Sequence, residues 1–262
     1  MATRTGKVIA VTGKGGCGKT TVAAFLVRLL VERGQNPILA VDADPNLNLN
    51  AALGVTVDAT VGDVREETLA QVESLPGGMS KSEYLRYRTA EALVEAKGYD
   101  LIAMGRPEGP GCYCYANSIL RACVDELVGR YPWVVMDTEA GLEHISRRTT
   151  RDVDAMLILS DPTVRGLETA FRIVQLARSL KTRVGEFRLA INRVQGEIPK
   201  NLVSLAAEHG FPELAAIPED PEVRSLDAQG VPLVQVSLAS PALMSVSKLL
   251  RAMMAGAPAQ AR

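Results

Sequence analysis

Gly13-Lys14-Gly15-Gly16-Cys17-Gly18-Lys19-Thr20-Thr21 decides the reading of this chain. Two glycines with four residues between them, followed by Lys and Thr, match the spacing of a phosphate-binding loop. The apolar run Val8-Ile9-Ala10-Val11 precedes it as a strand. Thr20 to Arg33 follows as an amphipathic helix, closed by Gly34 past its C-cap. Glycines let successive backbone N–H groups curl into a concavity close to phosphate oxygens, and the helix N-terminus adds its positive end. Lys19 is expected to reach the β- and γ-phosphates, and the Thr20 hydroxyl to complete a Mg²⁺ shell. The run from Gly13 to Thr21, including Gly15, Gly16, Cys17 and Gly18, is the predicted nucleotide cradle. An ordinary glycine-rich turn is the alternative, and strand, loop and helix in one register disfavour it.

The outer bounds agree. A chain of 262 residues with 47% hydrophobic and 4% aromatic content suits one large α/β domain of aliphatic helices over a parallel sheet. With 29 basic against 30 acidic residues, no polyanion-binding field is implied, so nucleic acid is not an expected partner. Met1 to Gly6 has no apolar signal core, and Arg28 interrupts the longest apolar run, so no membrane span is expected. Four cysteines without a secretory signal point to a reduced, cytoplasmic setting.

Lys14 narrows the reading. Gly-Lys-Gly-Gly-x-Gly-Lys-Thr resembles the deviant phosphate loop of ATPases related to the nitrogenase iron protein and the division-site and partition ATPases. That resemblance implies a homodimer in which Lys14 is offered to the partner's nucleotide, as a cation stabilising the transferring phosphoryl group. A solvated loop lysine is the alternative.

Further strands end on candidate site residues. Pro37 to Val41 leads into Asp42-Ala43-Asp44-Pro45, at a strand's carboxyl end where open α/β sheets place ligands. Asp44-Pro45 resembles the class's first switch, which implies that Asp44 orients the hydrolytic water. Asp42 is a further candidate for the metal shell, and an N-capping role is the alternative for these acids. Trp133 to Asp137 is a buried strand ending in an acid, expected to hold Mg²⁺ through water. Gly141, four residues on, fits a second switch meeting the γ-phosphate. Ala155 to Ser160 and Phe187 to Asn192 are further strands. The resemblance implies that Asn192 contacts the base. Gln195, standing where guanine readers carry an acid, implies adenine. Pro218, in Ala216-Ile217-Pro218-Glu219-Asp220, belongs to a loop resembling the one that closes over adenine. Residues 55–97 read as a helical insertion over the sheet edge. Pro241 to Met254 reads as a helix packed on the sheet, and 255–262 as a short tail.

The other informative stretch is Gly109-Pro110-Gly111-Cys112-Tyr113-Cys114. Cys112 and Cys114 can point the same way from a bend. Two thiolates do not fill the tetrahedral shell that soft divalent metals favour, but two copies across a two-fold axis would. Incidental buried thiols are the alternative. In this context the stretch resembles CooC-type accessory ATPases, as does Asp137-x-x-Ala140-Gly141-x-Glu143-His144. That resemblance implies Ni²⁺ or Zn²⁺ at an intersubunit Cys112/Cys114 site and a client nickel enzyme, carbon monoxide dehydrogenase or acetyl-CoA synthase. Cys123 reads as core, and Cys17 is given no chemistry.

The expected fold is therefore a three-layer α/β domain spanning 1–262, with a mostly parallel sheet of seven or eight strands. The expected activity is ATP hydrolysis, with Lys14, Lys19 and Asp44 catalytic and ATP/ADP and Mg²⁺ bound. Rival readings are an Fe–S reductase of the nitrogenase iron protein type, whose cluster cysteines lie far apart in sequence, and a positioning ATPase.

Overall fold

The computed structural model describes residues 6–70, 78–105, 122, 124–138, 152–179 and 183–255. Eight strands form one sheet: β1 (Lys7–Gly13), β2 (Ile38–Ala43), β3 (Val94–Ala96), β4 (Tyr99–Ala103), β5 (Trp133–Thr138), β6 (Asp152–Ser160), β7 (Arg183–Val194) and β8 (Ala215–Pro218). Their spatial order is β3-β4-β2-β5-β1-β6-β7-β8. All neighbours run parallel except β3 and β4.

Strands buried on both faces need apolar side chains on both, and these have them. Ile9 and Val11 of β1, Val135 of β5 and Leu157 of β6 enter one core. Val8, Ala10, Val134, Met136, Met156 and Ile158 enter the other. Helix α1 (Lys19–Glu32) fills the first core with Phe25, Leu26 and Leu30. The C-terminal helix, Pro241–Ala255, adds Val246 and Leu250 to the same side. Val164–Ser179 covers the opposite face with Leu167, Phe171 and Val174. The result is the expected three-layer, mostly parallel sheet.

Short helices α2 (Leu49–Leu53), α3 (Val61–Ala70) and α4 (Lys81–Glu91) lie between β2 and β3. The first residues of α4 carry a capping box, Ser80 with Glu83. The stretch 55–97, expected as helices and loops alone, also contains β3. Val94-Glu95-Ala96 turns back through Lys97-Gly98 to pair antiparallel with β4 at the sheet edge. Three residues of mixed polarity carry no strand periodicity, so only pairing reveals this one.

Leu157 is fully buried in the central part of the sheet. Leu157→Ala is expected to lower unfolding stability by about 2–5 kcal/mol, read from the urea midpoint, because the rigid sheet cannot collapse into the cavity.

Candidate functional site

The carboxyl ends of β1, β2, β5, β6, β7 and β8 lie along one edge of the sheet, and every described site residue comes from that edge or from α1. The register sets their heights. Val11 of β1 and Asp42 of β2 both pair with Asp137 of β5, while Gly13 reaches the level of Leu159 on β6.

Two glycines are dictated by space as well as by dihedral angle. At Gly13 (φ 148°) a Cβ would lie 2.2 Å from the Leu159 carbonyl oxygen. At Gly18 (φ 91°) it would lie 2.3 Å from Nδ2 of Asn192. Gly18 opens α1 without a side-chain cap, and no acid occupies the first turn. Amide donors there are left for an anion, which the helix end favours.

Lys19 is buried, and its ammonium donates to the Lys14 carbonyl at 3.4 Å. The Thr20 hydroxyl donates to Asp137 Oδ2 at 2.6 Å. Asp137 is fully buried, and among the described residues its Oδ1 has no hydrogen-bond partner. Burial pushes its carboxyl up to about 7. The neighbouring Asp42 and Asp44 charges push the same way, against the Thr20 hydrogen bond and the Lys19 charge. A buried, unsatisfied carboxylate oxygen beside a hydroxyl is a hard-oxygen donor pair, and it fits Mg²⁺.

The two acids after β2 are placed differently. Asp42 Oδ1 accepts from the Asp44 amide and Oδ2 from the Leu49 amide, so this carboxylate fixes the turn into α2. Both its oxygens serve backbone donors, although the N-cap position of α2 is Asn48. Asp44 is only partly buried, and its Oδ1 accepts from the backbone and side chain of Asn46. Lys14 is exposed and donates to Asp161 Oδ2 at 3.0 Å. Despite partial burial, Asp161 stays below the usual carboxylate range, because Thr163 and Lys14 hydrogen-bond to it. Asp161 is a site residue that the motif spacing does not single out. Its place at the carboxyl end of a strand adjoining β1 was the available signal.

Asn192 is buried beside the loop. Its Nδ2 donates to the Cys17 carbonyl at 2.7 Å, and its Oδ1 accepts from the Arg193 amide at 2.9 Å. Between α1 and β8 runs a cleft lined by Gly18 and Thr21 at one end and by Ile217 and Pro218 further along, with Asn192 and Arg193 beside them. Cys17 is buried, and burial pushes its thiol up, consistent with an inert side chain.

The family described as CbiA, the CobQ/CobB/MinD/ParA nucleotide binding domain, matches residues 8–233. The chain belongs to that family. Within the CobQ/CobB/MinD/ParA family, it is 46% identical over 228 residues to an uncharacterized ATP-binding protein of Methanocaldococcus jannaschii, covering 86% of this chain and 90% of that protein. It is 31% identical over 241 residues to the carbon monoxide dehydrogenase accessory protein CooC of Rhodospirillum rubrum, covering 87% and 90%. The MinD cell division protein of Aquifex aeolicus shares the fold, with a TM-score of 0.70 at 24% identity over 96% of this chain and 98% of that one.

Cys112, Cys114 and Gly141 lie outside the described residues, as does Cys123. Among the described residues, no group of three or more His, Cys, Asp or Glu could hold a metal ion, and no helix is long and apolar enough to cross a membrane.

Asp137 gives a pH prediction. Its folded value near 7 exceeds the roughly 3.9 of an unfolded aspartate, so between those values the native state holds more protons. Its contribution to stability without divalent metal is therefore fully present below about pH 4 and is lost as pH rises through 7. Asp137→Asn is expected to remove that slope, seen as a difference from the unsubstituted chain in urea midpoints taken across the window in EDTA.

Proposed function

We propose that this chain is an ATP-hydrolysing, homodimeric metallochaperone built on one nucleotide-binding domain, which delivers nickel to a client enzyme. The observation that carries the reading is the Thr20–Asp137 pair at the uncapped start of α1, with Lys14 and Lys19 on the same loop. That arrangement suits a metal-bound triphosphate. In this reading the backbone from Gly13 to Thr21 cradles the phosphates, and Thr20 and Asp137 hold Mg²⁺. Asn192 and Pro218 border the adenine, and Gly141 meets the γ-phosphate. Bound Mg²⁺ supplies charge neutralisation on the phosphate oxygens.

Asp44 orients a water whose oxygen attacks the γ-phosphorus. The bond from that phosphorus to the β–γ bridging oxygen breaks with its electron pair going to ADP, and the water's protons pass to phosphate and solvent. Lys19 and the partner subunit's Lys14 hold the charge that develops. Dimer closure brings two copies of Cys112 and Cys114 together around the nickel cargo, and hydrolysis opens the dimer and releases it. The cargo assignment draws support from the Cys-x-Cys spacing and the 31% identity with the Rhodospirillum accessory protein.

Lys14→Ala is expected to lower ATP turnover by about 10³-fold or more and to leave the protein monomeric with a non-hydrolysable ATP analogue, measured by phosphate release and light scattering. An active monomer would exclude the trans lysine. Cys112→Ser with Cys114→Ser is expected to abolish stoichiometric Ni²⁺ uptake by the analogue-loaded protein and to leave nucleotide binding intact. Metal uptake surviving that change would remove the cargo site. A broad visible absorption band in anaerobically purified protein would instead favour the Fe–S reductase, and cosedimentation with vesicles or salt-sensitive DNA binding would favour a positioning ATPase.

A further inference from the structure

We propose that Arg193 is a phosphate-holding residue of the nucleotide site, acting within its own subunit from the carboxyl end of β7. The assignment rests on the nucleotide reading above and adds a residue to it. Arg193 lines the cleft together with Gly18 and Thr21, the residues that open α1. Arg193 therefore shares one cleft with the uncapped amides at the helix start.

The backbone is built to put it there. Arg193 has φ 59°, in the left-handed region that non-glycine residues seldom occupy. It sits where the β7–β8 ladder slips between Asn192 and Val194. A slip of this sort re-aims one side chain out of the sheet, and an unfavourable dihedral persists only where neighbours hold it. Asn192 does the holding. One oxygen takes the Arg193 amide, while the nitrogen of the same group grips the Cys17 carbonyl inside the loop. The backbone of Arg193 is thus tied through a single side chain to the phosphate cradle.

Charge points the same way. Lys14 is engaged by Asp161, Lys19 by the Lys14 carbonyl, and Arg224 by Glu219. Among the described residues, the guanidinium of Arg193 has neither a hydrogen bond nor an ion pair. Its field nevertheless enters the loop: burial raises the Cys17 pKa, and the charges of Lys19 and, more weakly, Arg193 oppose the rise. Of the three acids lining the cleft, Asp227 makes no ion pair with Arg193, and the other two are engaged elsewhere. Asp220 accepts from Ser240 and the Glu222 and Ala242 amides, and Glu219 is held by Gln195 and Arg224. A guanidinium with no ion pair among the described residues, lining the same cleft as an anion-seeking helix start, matches a phosphate, whose oxygens it can take two at a time.

The test uses Arg193→Gly and Arg193→Lys in the full chain. Glycine adopts a φ of 59° without penalty, so it removes the guanidinium without straining the turn, whereas alanine would not. Equal melting midpoints without nucleotide would confirm an intact fold. Calorimetric titration with Mg²⁺ and ADP, and with a non-hydrolysable ATP analogue, is expected to show about tenfold weaker binding for Arg193→Gly, equivalent to about 1.4 kcal/mol. Arg193→Lys should fall between the two, the deficit should shrink at high salt, and adenosine, which lacks phosphate, should bind all three proteins alike. ADP affinity within twofold of the unsubstituted chain would overturn the assignment, as would an equal loss for adenosine, which would put the guanidinium on the base. An unsubstituted chain binding neither ADP nor the analogue overturns the nucleotide reading and this assignment with it. Normal binding there with an unaltered Arg193→Gly overturns the assignment alone.

Discussion

Parallel pairing of β1 with β5 on one side and β6 on the other leaves the glycine loop almost no freedom of position. The ladder carries Gly13 against the Leu159 carbonyl, where any side chain would collide with backbone, and it sets Asp137 at the height where the Thr20 hydroxyl reaches it. Sheet carbonyls cannot give way as a flexible side chain can. The loop is therefore fitted to the sheet, and the start of α1 follows from where the loop ends. Asn192 closes the arrangement from the far side, holding the Cys17 carbonyl from a strand two places away from β1.

The electrostatics of the edge are deliberately incomplete. A fully buried carboxylate with one oxygen lacking a partner is costly, and the folded chain meets the cost by raising the proton affinity of Asp137 toward neutrality. A divalent cation would relieve the same cost without a proton. Burial raises the proton affinity of Asp42 as well, but the Leu49 and Asp44 amides oppose the rise and give each of its oxygens a donor, so this carboxylate fixes a turn. Two neighbouring acids on adjacent strands thus have different work, and hydrogen-bond partners separate them.

The cations around the loop are held with unequal strength. The Lys14–Asp161 pair is substantially exposed on both sides, and pairs of that kind contribute only about 0–1 kcal/mol. Such a contact does not restrain Lys14 against a triphosphate. Lys19, by contrast, is buried against the loop's own backbone and is positioned before any ligand arrives. Arg193 stands between these cases: its backbone is fixed, and among the described residues its guanidinium makes no ion pair.

Elements whose signal is local are legible in the order of residues alone. The loop, the strand before it, the helix after it and the strand ending at Asp137 each show in spacing and apolar runs, because glycine dihedrals, helical period and buried-strand composition act over a few residues. Fold class followed from their alternation. Features that depend on contacts between distant parts of the chain emerge on folding. Val94-Glu95-Ala96 became a strand because β4 offered it an edge, and Asp161 became the counter-ion of Lys14 from 147 residues away. Asn192 came to clamp a loop 175 residues earlier, and Arg193 took a left-handed backbone because that clamp was there. No local pattern encodes such pairings. They arise when the sheet register brings separate strand ends to one edge, and register is a property of the assembled sheet.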